Sequence, residues 1–292
     1  MQHLLAKLGV STGQFGLDGQ PAARGRPRDV EARDILATAA RAALPVLEVA
    51  RQTSHCEAVL GQILPRPNPF RLTITTVRPD RGPDFAEAEL KAQMRRLGVD
   101  TVETILAPSA TDLFSPNGPA LWDRLRRLRD AGLCRHIGVS VYASDDPVGL
   151  AKRFKPDIIQ APASLLDQRL LVNGALAELC DMDIQVHLRA IFLNGLLFLP
   201  PDRAPTHLKA AASRISRARR LIAEGRSDPL QAALGFALSR PEASCVMVGV
   251  ATAAEMSAVI AAAMSPPPDL DWDEMAIDDP VTLDAQATWA AA

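Results

Sequence analysis

Beyond its carboxylates, hydroxyls and amines, the side chains of this chain that could move a proton, hold a metal or attack a substrate are few: one tyrosine, five histidines and four cysteines among 292 residues. The tyrosine, Tyr142, closes the run His136-Ile137-Gly138-Val139-Ser140-Val141, so only one phenol is available as a proton donor. His55 lies in Thr53-Ser54-His55-Cys56-Glu57 and is a candidate relocated acid, although a histidine in such a loop is more often solvated or packed. His187 stands inside an apolar run and is expected to be a hydrogen-bonded interior side chain. His3, His136 and His207 have no carboxylate or second histidine at ligand spacing, so no metal site is expected. Cys56, Cys134, Cys180 and Cys245 lie dozens of residues apart with no CxxC pair. Neither a disulfide framework nor a zinc knuckle is indicated; four buried, reduced thiols and a cytoplasmic location are expected.

The elements that must carry these residues alternate regularly. Short β-branched or apolar runs at 8–12, 45–49, 72–77, 102–107, 136–141, 157–161, 184–190 and 245–250 read as strands. Helical patterns fall at 29–43, 84–97, 120–131, 147–154, 174–181 and 229–239. Eight strand-helix units in about 260 residues is the arithmetic of a (β/α)8 TIM barrel. A doubly wound sheet is the alternative, but no Gly-x-Gly-x-x-Gly follows the first strand, where that fold needs it. Ser265-Pro266-Pro267-Pro268 cannot continue a helix, so the chain divides into a barrel, 1–264, and a tail, 265–292. The tail either packs through Trp272, Met275 and Ile277 or stays mobile.

Composition and charge remove several functional classes. A hydrophobic content of 48% supports a large core and excludes disorder as the main state. All 32 basic residues precede residue 241, whereas residues 241–292 hold 9 of the 34 acidic ones, giving +7 and then −9. The anionic end and the diluted positive remainder argue against nucleic acid as a partner. The longest uncharged apolar stretch, 190–201, is too short to cross a bilayer, and the chain opens on no basic-then-apolar leader, so neither membrane insertion nor export is expected.

Several segments together resemble the aldo-keto reductases, barrel enzymes that reduce carbonyls with a nicotinamide dinucleotide. They are Gly13-Gln14-Phe15-Gly16-Leu17, His136-Ile137-Gly138-Val139-Ser140-Val141-Tyr142, Ile158-Ile159-Gln160, Asp167-Gln168-Arg169 and Val246-Met247-Val248-Gly249-Val250. Arg189-Ala190-Ile191-Phe192-Leu193-Asn194-Gly195 is similar to a variant strand-seven loop of one bacterial branch. The resemblance implies an aldo-keto reductase barrel whose catalytic set is degenerate. A tyrosine, a lysine that lowers its pKa, an aspartate and a histidine are the family's proton-transfer unit. Here Glu48 stands at the aspartate position, Thr53 at the tyrosine, Thr76 at the lysine and Pro108 at the histidine. A threonine hydroxyl is too weak an acid to protonate a carbonyl near neutral pH.

Nucleotide binding is separable from catalysis, and the resemblance implies which residues would retain it. Ser140 and Gln160 match the carboxamide-binding positions, with Val141 replacing the family's asparagine. Phe192 or Ile191 would cover the nicotinamide ring, and Arg189, Leu193, Asn194 and Gly195 would lie near the pyrophosphate. Gly249, Val250 and Thr252 begin the last strand-to-helix turn, where backbone N–H groups can meet phosphate. These are equally the residues of ordinary barrel loops. The absence of any basic residue after Arg240 favours NAD(H) over NADP(H), and Val259 replaces the family's adenine-contacting asparagine.

Two basic clusters face possible partners: Arg124, Arg126, Arg127 and Arg129, and then Lys209, Arg214, Arg217, Arg219, Arg220 and Arg226. Solvated helix faces account for most such runs, but the second is placed to dock an acidic partner or the chain's own tail. Within the family, the degenerate catalytic set resembles that of bacterial cell-division regulators. This implies as partners the tubulin-like division protein FtsZ and a cell-cycle histidine kinase. A terminal Ala291-Ala292 resembles a degradation signal read by ATP-dependent proteases. An active carbonyl reductase with a non-standard acid, and a nucleotide-free structural adaptor, stay open beside the regulatory reading.

Overall fold

The computed structural model describes residues 2–15, 27–49, 54–198 and 209–283. Eight parallel strands close into a barrel in the order in which they occur in the chain: β1 (Leu8–Ser11), β2 (Val46–Val49), β3 (Arg71–Thr75), β4 (Val102–Ala107), β5 (Cys134–Ser140), β6 (Ile158–Pro162), β7 (Gln185–Arg189) and β8 (Ala243–Gly249). Each coincides with an expected strand to within two residues at either end. The helices, in chain order, are α1 (Gln2–Leu5), α2 (Asp29–Arg41), α3 (Ser54–Ile63), α4 (Pro83–Leu97), α5 (Ala110–Phe114), α6 (Gly118–Asp130) and α7 (Pro147–Phe154). They continue as α8 (Arg169–Val172), α9 (Ala175–Asp181), α10 (Lys209–Glu224), α11 (Pro229–Ser239), α12 (Ala253–Met264) and α13 (Pro280–Leu283).

Local chemistry explains the sharpest boundaries. α7 and α11 begin at proline, whose missing N–H is no loss in a first turn. Asp146 caps the first through the amide of Gly149, and Asp228 caps the second through those of Leu230 and Gln231. α4 ends at Gly98, whose φ of 67° is costly for a residue bearing Cβ.

The strands sort their residues by the two-residue period of extended chain. Leu8, Val10, Leu47, Ile74, Ile105, Ile137, Val139, Ile159, Val186, Leu188, Val246 and Val248 join the helices in one apolar layer outside the barrel. The intervening residues face the barrel axis. Val46, Cys245 and Met247 form a small separate cluster low in the interior. Gly9 is required there: a Cβ on it would lie 2.5 Å from Met247 Sδ and 3.0 Å from Cys245 Sγ. Above this plug the interior turns polar, with Glu48, Thr73, Thr104, Gln160 and His187.

The described part of the tail is packed. Met275, Ile277 and Leu283 are buried in a second apolar cluster with Ile215, Ala218 and Ile222 of α10, and with Leu165 and Leu166 after β6. The Ile277 amide donates to the Leu166 carbonyl at 2.8 Å. Gln168 Nε2 donates to the Trp272 carbonyl at 2.6 Å, and the Trp272 ring meets Phe236 edge-on. Among the described residues, no helix is long and apolar enough to cross a membrane.

Candidate functional site

The strand ends gather their last inward-facing residues at the C-terminal mouth of the barrel. The last inward-facing residues, Ser11, Glu48, Thr75, Ser140, Arg189 and Gly249, are partly exposed, whereas most of their strand neighbours are buried. Active sites of such barrels occupy this face.

Glu48 and Gln160 meet across the axis. They come from β2 and β6, four strands apart around the ring, and Gln160 Nε2 donates to Glu48 Oε1 at 2.7 Å. A carboxylate can only accept, so this bond fixes the amide's orientation and leaves Gln160 Oε1 as the free acceptor. Ser140 lies beside Gln160 in strand register. Thr76 and Pro108 were expected at the positions of the family's lysine and histidine. Thr76 is buried, its amide donating to the Leu106 carbonyl and its hydroxyl to the Val77 carbonyl at 3.0 Å. Pro108, half-buried, directly follows β4. Thr53 lies outside the described residues; His55 falls in the first turn of α3, with its side chain also outside them.

Arg189, expected near a pyrophosphate, has its described contacts within the barrel mouth. As the last inward residue of β7 it turns into the mouth, donating Nη2 to the Val141 carbonyl at 2.8 Å, with its guanidinium 5.0 Å from the centre of the Tyr142 ring. Burial pulls its pKa below the ordinary arginine value, against the opposing influence of Tyr142, Glu48, Asp145 and Asp167. The loop after β7 carries Ile191, buried, and Phe192, whose ring packs against Phe198 at 5.3 Å. Leu193 is buried and Gly195 takes a φ of 83°. Asn194 belongs to the 3-10 turn Leu193–Phe198, its side chain outside the described residues.

At the turn after β8, Val250 is buried, and Thr252 caps α12 by accepting the Glu255 amide on Oγ1 at 3.1 Å. Two other amides of this turn are met by carboxylates. Ala251 N–H donates to Glu255 Oε2 at 2.8 Å, and Ala253 N–H to Glu31 Oε1 at 2.6 Å. Glu31 belongs to α2, 222 residues away in sequence, and only the closed barrel brings it here. Val259 is buried in the apolar layer, a role sufficient to explain it.

Other sequence candidates resolve differently. His187 is interior but lacks the expected hydrogen bond: its Nδ1 has no partner among the described residues. Burial first, then the charges of Arg71 and His136, lower its pKa to about 4, so it is neutral. Cys134 and Cys245 are buried, and burial pushes both thiols up to about 12, beyond thiolate reactivity at neutral pH. Cys180 is only half-buried rather than buried, and the Cys56 side chain lies outside the described residues. Most of the first basic cluster is consumed internally. Arg124 binds Glu87 and Asp84, Arg126 the Phe154 carbonyl, and Arg129 both oxygens of Asp157. In the second, Arg217 pairs with Glu274 of the tail at 3.1 Å. Ala291 and Ala292 lie outside the described residues.

The sequence profile of the Aldo/keto reductase family matches residues 7–277, and the chain belongs to that family. Its members generally use NAD(P)H. Among solved structures, the chain is similar to an aldo-keto reductase of Bacillus halodurans in its holo form. The two share 19% identity, with a TM-score of 0.75 over 92% of this chain and 89% of that one. It is also similar to the glycerol dehydrogenase of Gluconobacter oxydans, at 17% identity and a TM-score of 0.70 over 92% and 88%. At these identities the likeness establishes the fold. No curated protein matches the chain in sequence.

Proposed function

We propose that this chain is a catalytically silent aldo-keto reductase that binds NAD(H) in preference to NADP(H) and acts through protein partners. The observation that carries the reading is the Glu48–Gln160 hydrogen bond. The one carboxylate matching the family's proton-transfer unit is committed to an amide, and Thr76 spends its hydroxyl on a neighbouring carbonyl. No charged group at that position is left to activate a proton donor.

The same contacts suit a dinucleotide. A nicotinamide dinucleotide supplies hydride chemistry when bound; here the chain's own residues hold and orient. Gln160 Oε1, set as an acceptor by Glu48, and the Ser140 hydroxyl would take the carboxamide. Phe192 or Ile191 would shield the ring, and the Leu193–Phe198 turn would face the pyrophosphate. The absence of any basic residue after Arg240 leaves a 2′-phosphate uncompensated, which supports NAD(H).

The biological reading follows the resemblance to KidO, a bacterial cell-division regulator. On it, nucleotide occupancy biases the chain toward binding FtsZ and a cell-cycle histidine kinase in the cytoplasm. A ligand can do this only by binding two conformations with different affinity. An Ala291-Ala292 signal would then set abundance through an ATP-dependent protease.

A second reading, a working carbonyl reductase, is favoured by one contact: the Arg189 guanidinium over the only tyrosine. Calorimetry with NADH and NADPH, followed by absorbance at the reduced nicotinamide band with a panel of carbonyls, tests both. NADH binding without turnover supports the silent regulator. Turnover abolished by Tyr142→Phe establishes the reductase, and absence of binding leaves a structural adaptor.

A further inference from the structure

We propose that Cys245, Met247 and His187 form a binding site for a soft monovalent metal ion, copper(I) being the ion that fits, in the barrel interior beneath the mouth. The site is independent of the dinucleotide reading. Spacing along the chain gives no sign of it, because the three groups come together only where β7 meets β8. Among the described residues, no cluster of three or more His, Cys, Asp or Glu side chains could hold a metal ion. A thioether changes that count, since soft ions take thiolate and thioether sulfur.

Strand register assembles the set. Cys245 and Met247 are successive inward-facing residues of β8, and the Cys245 thiol donates to Met247 Sδ at 3.4 Å. His187 is the register partner of Cys245 on β7 and faces the same interior. Cys245, Met247 and His187 are only 3, 4 and 6% exposed, respectively. On the other side of β8, Met247 is paired in register with Gly9. A Cβ there would stand 2.5 Å from Met247 Sδ and 3.0 Å from Cys245 Sγ, so glycine keeps a side chain of β1 from crowding the two sulfurs. Val46 completes the apolar wall around them.

Two features of the set point to a ligand. A buried histidine ordinarily finds a hydrogen-bond partner, yet His187 Nδ1 has none among the described residues. The ring is neutral, and a neutral imidazole nitrogen is a ready metal ligand. The two sulfurs, meanwhile, converge on a single proton in a weak bond. Metal–sulfur bonds of about 2.3 Å would let one ion touch both across that gap, the ion taking the place of the thiol proton. Charge selects the ion. The charges that reach Cys245, those of Glu48 and Arg71, oppose each other, so the thiolate itself must balance the metal. It neutralises a monovalent ion in this dry interior and leaves a divalent one uncompensated. Three ligands also fall short of the four that a structural zinc ion takes.

The test uses the full chain, reduced and free of oxygen. Copper(I) is titrated in competition with the chromogenic chelator bicinchoninate, and silver(I), a soft ion without redox chemistry here, by calorimetry. The wild type should bind one equivalent of either ion, and X-ray absorption of the copper-loaded protein should report two sulfur neighbours and one nitrogen. Cys245→Ser should weaken binding by at least about 100-fold, and Met247→Leu and His187→Gln by about tenfold each. Cys56→Ser, Cys134→Ser and Cys180→Ser should leave it unchanged. Thermal midpoints of the metal-free variants verify folding; should one of them fail to fold, the wild-type absorption spectrum still decides, since it needs no substitution. Absence of a bound equivalent, a bound ion without two sulfur neighbours, or an affinity that Cys245→Ser leaves untouched overturns the site.

Discussion

Glu48 and Gln160 face each other across the barrel from opposite strands, joined by a 2.7 Å hydrogen bond. The family's aspartate at the Glu48 position serves a lysine. On the matching that the proposed function rests on, Thr76 would stand in that lysine's place, and the longer glutamate spans the axis to the Gln160 amide.

Reach, rather than charge alone, should therefore matter at residue 48. Glu48→Asp and Glu48→Ala are both expected to weaken NADH binding by about tenfold, because each frees the Gln160 amide to rotate. Glu48→Gln keeps an acceptor at the same distance and should bind nearly as the wild type does. Calorimetric titration ranks the four proteins; an aspartate variant indistinguishable from wild type would sink the argument.

His187 makes stability depend on acid. Its folded pKa of about 4 lies below the 6.5 of an exposed histidine, so as pH falls the unfolded chain takes up the proton first. The contribution is complete above pH 6.5 and is lost between there and pH 4. Urea unfolding at pH 7 and pH 5 should differ by about 2 kcal/mol from this residue alone. His187→Leu should flatten that part of the dependence, and equal slopes in both proteins would contradict the assignment.

Arg189 should be structurally expensive to remove. Truncation to alanine strips the Val141 carbonyl of its donor, vacates the face of Tyr142 and leaves Glu48 without its nearby cation. A loss of about 2–4 kcal/mol is expected in denaturant unfolding. Lysine should restore only part of it, lacking the planar fork that spans carbonyl and ring. Alanine within experimental error of wild type would show the guanidinium to be idle.

The tail is held by its apolar side chains, not by its charges. Met275→Ala should destabilise the protein by about 2–4 kcal/mol, since that side chain is buried against α10 and the loop after β6. Glu274→Gln should change stability by less than about 1 kcal/mol, because its pair with Arg217 is half exposed. Thermal unfolding of the two variants decides between them, and a reversed order would show the acidic tail to be electrostatically clamped.

The barrel was legible because its signal is local. Short β-branched or apolar runs located all eight strands, and α7 and α11, each opening on a proline, were bounded to the residue. α3 and α10 were not read as helices. α10 is dominated in sequence by its arginines, while the buried spacing of Ile215, Ala218 and Ile222 beneath them carries the helix. The short α1, α5, α8 and α13 are too brief to show a period.

Sequence alone determined the chemical inventory: a single tyrosine, four cysteines, five histidines, and no basic residue after Arg240. These are matters of residue identity and order. The tertiary structure decided what the remaining groups do. Glu48 and Gln160 lie 112 residues apart, and Glu31 and Ala253 lie 222 apart. No local pattern links such pairs, because they become neighbours only when eight strands close into a ring and bring α2 beside the start of α12.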